Sequence, residues 1–515
     1  MKNFLRDDFT IGSRLFLTGI GLVYLIAFIS LWLQVEGLFG SEGIMPIERY
    51  FDRLAGHENP WSYILRYPSL LWLDYFLHLG NTALHIICGT GMICSILALF
   101  NFYRGISMFL CWLFYLSLVT LGSPFLSFQW DNLLLESGFL AIWLAGFKKQ
   151  DQKPSLFILF TIFLLLFRLM FFSGYVKLAS NDPVWWDLSA LSLHFETQPL
   201  PNALSWYFHQ LPTIILKVST AIMFFIELIA PFFIFFTRHL RHTAGILFIA
   251  FMLLIIASGN YTFFNLLTIV LCLLLFDDRW SQRCLPFTFL QKENFSTTGN
   301  YTGPVLKIVC IVMVALALIT EGRRWLPFDH YPVVSQVYRF VRPFRSVNNY
   351  GLFSVMTKTR PEIVFELSTN GKEWKELEFK WKPVRLDARP GWVQPHQPRL
   401  DWQLWFAGLY YQRILPLFQQ QFGRAPESYD NIHHFIYQRY RRGYYRHVWV
   451  HNFMEGILQR RLPVMNLTTH ENWLEEPYYL RAWIYDYRFT RGKNLNWWVR
   501  ENKRLLFPAF NLSDE

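Results

Sequence analysis

Charged residues are scarce in this chain, and their scarcity limits the class of protein that it can form. Asp, Glu, Lys and Arg make up 17% of the 515 residues, whereas soluble domains carry about 25%. Hydrophobic residues make up 53%, and Phe alone contributes 51 residues. This composition excludes an ordinary soluble protein and indicates a chain that crosses a membrane several times.

Cysteine is scarce as well. The chain has six Cys, none of them after Cys310, and no two are spaced as C-x-x-C. A disulfide framework and a zinc ribbon are therefore excluded. The sequence also lacks a G-x-S-x-G nucleophile motif and a glycine-rich phosphate loop, so it resembles neither a lipase nor a nucleotide-binding enzyme.

One stretch has the spacing of metal ligands. His447, His451 and Glu455 would share one face of a helix, where two imidazoles four residues apart can chelate a metal ion. Arg442 and Arg446 lie beside them and oppose a bound cation. We interpret the stretch as a polar helix face, and we expect neither a metal site nor a cofactor.

Nine apolar runs alternate with loops rich in Trp, Pro and His. Each run approaches the roughly 20 helical residues that cross a bilayer core. The first part of the chain is therefore predicted to form a polytopic α-helical membrane bundle of about nine spans. The predicted spans lie at 15–36, 80–100, 105–121, 130–146, 155–175, 215–236, 242–258, 261–276 and 304–320.

The Lys and Arg residues of the loops predict the orientation of the bundle. They are concentrated in the N-terminus and in the even-numbered connections between spans, which the positive-inside rule assigns to the cytoplasm. With nine spans, the chain after Arg324 then lies on the extracytoplasmic side. One span more or fewer would reverse that assignment.

The chain divides into two predicted domains, a transmembrane helical domain over 1–324 and a soluble domain over 325–515. The first has 21 Lys and Arg against 19 Asp and Glu, and the second has 27 against 18. The positive charge of the second domain favours anionic lipid headgroups or an acidic partner. No nucleic acid is expected as a partner, because no nucleic-acid motif accompanies the charge.

The second domain is predicted to be a small, mostly-β (α+β) fold. Strands are predicted over 351–358, 362–368, 374–381 and 479–490. Asn370 and Gly371 predict a hairpin turn, because both residues tolerate positive φ. Helices are predicted to begin at Asp401 and to run over 447–460, from the spacing of their apolar residues.

Several motifs resemble those of the lipase maturation factor family. They occupy Ser123–Glu136, His194–Asn202, Gly259–Asn265, Asn349–Phe353, Thr359–Glu362 and Pro395–Trp402. The resemblance implies a non-enzymatic membrane assembly factor or chaperone that helps secreted lipases or other exported proteins to mature. It also implies a location in the endoplasmic reticulum membrane of a eukaryote or the inner membrane of a bacterium.

Two kinds of partner follow from that resemblance and from the apolar runs. They are membrane lipid and a client protein such as a secreted lipase. The tail motifs contain polar residues that would either contact a client or hold the domain together. These residues are Asn349, Tyr350, Arg360, Pro361, His396, Arg399, Asp401 and Trp402.

Four ionisable residues lie within or at the edge of the predicted spans, namely Asp131, Glu136, Arg168 and Glu227. A charge near mid-bilayer costs at least about 2.5 kcal/mol, so it usually faces the bundle interior and has a partner. Arg168 is expected to pair with Glu136 or Glu227. The group would either fix helix packing or line a substrate or partner cavity.

Lys177 supports an alternative function. The element Gly174-Tyr-Val-Lys177-Leu is similar to one in the vitamin-K-dependent carboxylase superfamily, where the resemblance implies that the lysine is a base. A membrane-embedded enzyme would use Lys177, with His194 assisting from the same loop region. The other interpretation is that Lys177 extends to the membrane surface beside Trp185 and Trp186.

Overall fold

The computed structural model describes residues 8–49, 51, 64–147, 153–284, 303–325, 331–439, 445–469, 478–492 and 496–511. The first of two helical regions contains, in chain order, α1 (Thr10–Trp32), α2 (Val35–Phe39), α3 (Trp72–Leu77), α4 (Asn81–Leu99), α5 (Arg104–Leu121), α6 (Gln129–Ala145), α7 (Leu156–Ala179), α8 (Pro183–Trp186), α9 (Leu191–Thr197), α10 (Ala203–His209), α11 (Thr213–Phe224), α12 (Arg238–Ser258), α13 (Phe264–Cys272), α14 (Asp278–Cys284) and α15 (Pro304–Gly322). After α11 the chain continues through a π-helical segment, Phe225–Ile229, and a 3-10 segment, Ala230–Phe235.

Seven helical segments of the described chain are long and apolar enough to cross a membrane. They are α1, α4, α5, α7, Thr213–Phe235, α12 and α15. The polytopic helical bundle is thus confirmed. Two of the nine predicted spans fall on shorter helices, α6 with 17 residues and Phe264–Leu275. The count of nine crossings stays a prediction.

The centre of the bundle is built around α1. Its Tyr24 is fully buried, and the Tyr24 hydroxyl donates a hydrogen bond to the carbonyl of Leu134 at 3.2 Å. Gly138 permits this approach, because a Cβ there would lie 1.9 Å from the Tyr24 hydroxyl oxygen. A side chain at 138 would therefore separate α1 from α6.

One end of the bundle is held by two neighbouring carboxylates. Asp278 accepts hydrogen bonds from the backbone N–H groups of Thr10 and Ile11 at 3.1 and 2.8 Å, which satisfies the N-terminus of α1. Asp277 lies 3.1 Å from the Arg238 guanidinium at the start of α12. We call this the Asp277 end.

The tail, which follows α15, packs on the opposite end of the bundle. It contains α16 (Pro332–Val341), β1 (Arg360–Ser368), β2 (Lys375–Glu376), α17 (Arg399–Phe422), α18 (Tyr429–Arg439), α19 (Tyr445–Leu458), α20 (Leu462–Met465), β3 (Tyr479–Phe489) and β4 (Trp498–Phe510). The four strands form one antiparallel sheet in the order β2-β1-β3-β4. The α+β fold is confirmed, and α16, α18 and α20 are helices that the sequence did not predict.

The sheet follows the alternation of its side chains. Along β3, Leu480, Ala482 and Ile484 are completely buried, and the intervening residues face the other side of the sheet. Helix α17 packs on β1 so closely that a Cβ on Gly408 would lie 2.3 Å from the carbonyl oxygen of Pro361. Strand β2 is shorter than the predicted strand over 374–381, while the Asn370–Gly371 turn is confirmed by the φ of +71° at Gly371.

The strand predicted over 351–358 was wrong. This segment has no regular secondary structure. Its backbone groups bind the bundle instead of a neighbouring strand. The N–H of Met356 donates to Asp182 at 2.8 Å, and the carbonyl of Phe353 accepts from the Trp185 indole at 3.1 Å.

One hydrophobic core runs through the bundle and the tail. Trp130 of α6 contacts Trp402 of α17 with ring centroids 4.8 Å apart. Phe125, in the loop before α6, contacts Trp449 of α19 at 5.4 Å. The tail is therefore packed into the bundle rather than tethered to it.

Candidate functional site

A deeply buried ion pair joins the tail to the bundle. Arg399, the first residue of α17, donates to both carboxylate oxygens of Asp131 at 2.9 and 3.2 Å. Asp131 also accepts a hydrogen bond from the Tyr115 hydroxyl at 2.5 Å. Both charged side chains are at most 1% exposed. Each of these charges would be unfavourable in the protein interior without a partner. The two hydrogen bonds of the bidentate pair offset the free energy of removing both charges from water.

The residues that precede Arg399 are fixed by the end of α1. His396 forms a hydrogen bond through Nδ1 with the Ser30 hydroxyl at 2.9 Å, and the backbone N–H of Arg399 donates to Gln34 at 2.9 Å. Burial, together with the positive charges of Arg399 and Lys380, lowers the pKa of His396 to about 4. The imidazole is therefore neutral at pH 7.

A second charged group lies between α6, α7 and the segment before β1. Arg168 and Glu136 form an ion pair of 2.7 Å. The other oxygen of Glu136 accepts from the Tyr350 hydroxyl at 2.7 Å and from the backbone N–H of Asn348 at 2.8 Å. Of the two partners predicted for Arg168, the structure shows Glu136. Gln129 donates at 3.5 Å to the carbonyl of Asn349, which borders this group.

Arg360 binds the end of a short helix in the loop region before α11. Its guanidinium donates to the carbonyls of Glu196, Gln198 and Pro199, the last at 2.8 Å, where α9 ends. It also forms an ion pair of 2.8 Å with Glu362. These carbonyls have no partner within α9, and an arginine supplies the planar set of donors that such carbonyls need.

Asp401 and Trp402 complete the first turn of α17. Asp401 accepts from the backbone N–H groups of Trp381 and Lys382 at 3.0 and 2.8 Å. Burial raises the pKa of Asp401 to about 6, and the two backbone hydrogen bonds oppose that rise. Trp402 is 3% exposed and packs against Phe128 as well as Trp130.

The tail positions named in the sequence thus hold the tail to itself and to the bundle. We call their contacts the bundle–tail interface. It consists of the contacts made by Asn348–Tyr350, Arg360 and His396–Trp402. Nearly all of these side chains are buried, so a structural role for them is supported more directly than contact with a client.

Lys177 and Glu227 form a separate ion pair inside the bundle. The Lys177 Nζ lies 2.7 and 2.6 Å from the two carboxylate oxygens of Glu227, and 5.4 Å from the centroid of the Trp185 ring. Glu227 is therefore not part of the cluster around Arg168. The lysine amine is engaged by a carboxylate and does not stand free as a base.

His194 lies near this pair but does not bind it. Its Nε2 is 3.0 Å from the hydroxyl of Tyr261. Burial, and secondarily the charge of Lys177, lowers the pKa of His194 to about 4. Lys177, Glu227, His194 and Tyr261 all line one cavity of ≈ 410 Å³, which we call the Lys177 cavity.

His447, His451 and Glu455 all lie on α19. Within the described ranges, no three His, Cys, Asp or Glu side chains are placed to hold a metal ion. His447 is completely buried and hydrogen-bonded to Tyr411, while His451 binds the hydroxyl of Tyr429 at 2.7 Å. On this predicted polar face, α19 turns His447 into the core.

Sequence reasoning missed several interface residues. Tyr115 and Asn348 donate hydrogen bonds to the buried carboxylates of Asp131 and Glu136. Gln34 accepts one from the backbone N–H of Arg399, and Asn260 accepts one from the backbone N–H of Val393 at 2.9 Å. Gln34 carried a usable signal, because a polar side chain at the end of an apolar run needs a partner. Tyr115 carried none, since an aromatic residue inside a span is unexceptional.

Two family models match this chain. The model described as the lipase maturation factor transmembrane domain matches residues 11–283, which is more than half of the chain. The chain belongs to the lipase maturation factor family. The model described as the family's C-terminal domain matches residues 346–439, and the resemblance read from the motifs is confirmed.

Individual relatives cover nearly the whole chain. Lipase maturation factor 2 of Xenopus laevis is 32% identical, with 97% of this chain and 82% of the relative aligned. Lipase maturation factor 2 of Homo sapiens is 30% identical, with 98% and 84% aligned. Lipase maturation factor 1 of Mus musculus is 29% identical, with 97% and 87% aligned. No solved structure matches the chain.

The structure adds geometry to the motifs that carried the resemblance. The motif that contains Asp131 contacts the motif that contains Arg399, and the motif that begins at His194 contacts the one that contains Arg360. Asn260, in a further motif, binds the backbone just before Pro395. The motifs of the bundle and those of the tail are therefore complementary halves of one interface.

Proposed function

We propose that this multi-pass membrane protein is a maturation factor that assists the folding of exported client proteins, among them secreted lipases. The names of its relatives, lipase maturation factor 1 and 2, support a lipase client. The observation that carries the proposal is the match over nearly the full chain, bundle and tail together. The absence of a nucleophile motif agrees with an assembly role.

We place the tail on the extracytoplasmic side, where exported clients fold. The basic loop residues support this orientation. Some of them lie at the Asp277 end, where Lys153 contacts Asp8 at 3.1 Å and Arg238 contacts Asp277. The tail occupies the opposite end. The membrane would be the endoplasmic reticulum in a eukaryote and the inner membrane in a bacterium.

A face of the sheet that carries aromatic and charged side chains is our candidate for client contact, with Arg481 and Arg500 also paired to Glu366 and Glu376. Arg481 lies over Trp374 at 4.0 Å, and Lys503 lies over Trp483 at 4.1 Å. Arg500 lies over a neighbouring tyrosine on the same face at 4.8 Å. Trp, Tyr and Arg side chains contribute much of the binding energy in protein interfaces.

The proposal is tested with a secreted lipase in cells that lack their own maturation factors. Co-expression of this protein should raise lipase activity in the medium per unit of lipase antigen. No rise for any of a panel of secreted lipases, with the protein present in the membrane, would contradict the proposed function.

The client surface is tested with two charge reversals in the tail. Lys503→Glu should lower the specific activity of the secreted lipase, because it reverses a charge on the proposed surface. Lys372→Glu is the matched control, since Lys372 lies in the exposed Asn370–Gly371 turn. Equal activity of the two variants would exclude this face as the client surface.

A further inference from the structure

The Lys177 cavity has the size of a site for one small molecule. Its ≈ 410 Å³ lie between α7, α11, α12 and α13, and ligand sites typically measure about 300–1,000 Å³. Most of its wall is apolar, with side chains such as Leu169, Met223, Phe251 and Phe264. A hydrocarbon chain therefore fits the wall better than a polar metabolite does.

The charges at the polar end of the cavity compensate each other. Glu227 reaches Lys177 from the π-helical segment Phe225–Ile229, a helix irregularity that is frequent at functional sites. Gly174 permits the close approach of the two helices, because a Cβ there would lie 2.9 Å from the Cβ of Glu227. The ion pair leaves no net charge to attract an ionised headgroup.

Asn265 offers a ligand hydrogen-bonding groups, whereas the groups of the ion pair are already bonded to each other. It lines the cavity, is 1% exposed, and both its amide nitrogen and its amide oxygen lack a hydrogen-bond partner among the described residues. A buried amide without partners destabilises the protein, because its lost hydration is not replaced. A ligand that both donates and accepts one hydrogen bond would remove that cost, and a hydroxyl group does so.

The cavity opens toward the lipid-facing side of the bundle. Among its lining residues, Ile222 of α11 is 53% exposed and Leu254 of α12 is 52% exposed. The neighbouring exposed positions on these helices, such as Val218 and Leu253, are also apolar. Such faces contact acyl chains in a membrane-spanning helix, so a lipid has direct access to the opening.

We propose that the Lys177 cavity binds a single-chain lipid with an uncharged, hydroxyl-bearing headgroup, of which monoacylglycerol is the simplest example. The acyl chain lies along the apolar wall, and the headgroup hydroxyl bonds to the Asn265 amide beside the Lys177–Glu227 pair. The proposal is independent of the proposed function in client maturation, because it concerns a different face of the molecule.

The test uses the full-length protein in nanodiscs with photoreactive lipids that carry a diazirine in the acyl chain. The four probes are a monoacylglycerol, a fatty acid, a phosphatidylcholine and a hydrocarbon without a headgroup. Cross-linked residues are mapped by mass spectrometry. We expect the monoacylglycerol probe to label α7, α11, α12 and α13 at cavity-lining residues, and to exceed the other probes.

Two neighbouring tryptophan substitutions separate the cavity from the outer helix surface. Ser219→Trp fills the cavity, because Ser219 lines it, whereas Val218→Trp adds the same bulk on the exposed face of α11. Labelling inside the cavity should fall in the first variant and persist in the second. Equal labelling in both variants would overturn the proposal.

Asn265→Leu tests the headgroup separately from folding. It removes an unsatisfied amide, so the unliganded protein should be at least as stable as the wild type. Its preference for the monoacylglycerol over the hydrocarbon probe should fall roughly thirtyfold, the effect of losing two hydrogen bonds of about 1 kcal/mol each. An unchanged preference, or a wild type that prefers the fatty acid or phosphatidylcholine probe, contradicts the assigned headgroup.

Discussion

Two of the buried charged regions in the described structure differ in where their partners come from. At the bundle–tail interface, Asp131 and Glu136 of α6 meet groups that the tail contributes, Arg399 and Tyr350. In the Lys177 cavity, the ion pair lies wholly within the bundle, and the nearby Asn265 has no partner among the described residues. The difference indicates that the first region fixes the architecture, whereas the second leaves groups available for a ligand.

The largest effect is expected from removing the guanidinium at the interface. Arg399→Ala leaves Asp131 buried without its ion-pair partner, which should lower the free energy of unfolding by about 3–5 kcal/mol. The measurement is denaturant unfolding in mixed micelles. Arg385→Ala removes an exposed arginine that pairs with Asp387 and should change stability by less than about 0.5 kcal/mol. Similar losses of unfolding free energy in both variants would show that the buried pair stabilises the protein no more than the exposed pair does.

A smaller effect is expected where the arginine geometry alone is changed. Arg360→Lys keeps the charge but loses the planar set of donors to the carbonyls at the end of α9, so we expect a loss of about 2 kcal/mol. Hydrogen–deuterium exchange should rise over 196–202. Arg504→Lys, at a partly exposed pair with Asp486, is the control and should leave exchange in that segment unchanged.

The hydroxyl of Tyr350 offers a narrower test of the same interface. Tyr350→Phe removes a hydrogen bond of 2.7 Å to the buried carboxylate of Glu136, and should cost about 1–2 kcal/mol of stability. Tyr478→Phe, at an exposed position, should cost almost nothing. A neutral Tyr350→Phe variant would show that the Tyr350 hydroxyl does not stabilise the interface at Glu136.

Each region also holds a histidine that burial keeps neutral, His194 at the cavity and His396 at the interface. Both folded-state pKa values lie near 4, below the unfolded value of about 6.5, so the unfolded state binds more protons between these values. The stability that comes from keeping these histidines neutral is therefore fully present above about pH 6.5, and it is lost as the pH drops toward 4.

The resulting pH effect is the smallest of the series. Between pH 7.5 and pH 5.5, His194 should account for a loss of about 1 kcal/mol, and the half-buried His396 for less. His194→Asn and His396→Asn should each flatten the profile of unfolding free energy against pH. A wild-type profile that is flat over this range, or variants that keep its full slope, would contradict the account.

Sequence reasoning predicted the parts of the fold that depend on local pattern. The apolar runs located the long helices, and Asn370–Gly371 located a turn, because helix length and turn chemistry are local properties. Most tail residues of the interface were also named, since the family motifs contain them. Their partners were not predicted. Asp131 and Arg399 are 268 positions apart, and no local period connects two such residues.

Other errors have the same origin. The segment over 351–358 has the composition of a strand, but its backbone binds Asp182 and Trp185 of the bundle instead of another strand. Glu227 was grouped with Arg168 from depth in the membrane alone, and the π-helical segment turns it toward Lys177. Tertiary packing decided both outcomes.

The most direct test of the account is a double-mutant cycle on Asp131 and Arg399. The claim under test is that the bundle and the tail fold as one unit, because each contributes one charged partner to the ion pairs between them. Unfolding free energies are measured for the wild type, Asp131→Asn, Arg399→Met and the double variant. The account predicts a coupling energy of about 2 kcal/mol or more. The double variant should then lose less unfolding free energy than the sum of the two single losses. Single effects that add to within about 0.5 kcal/mol would contradict it.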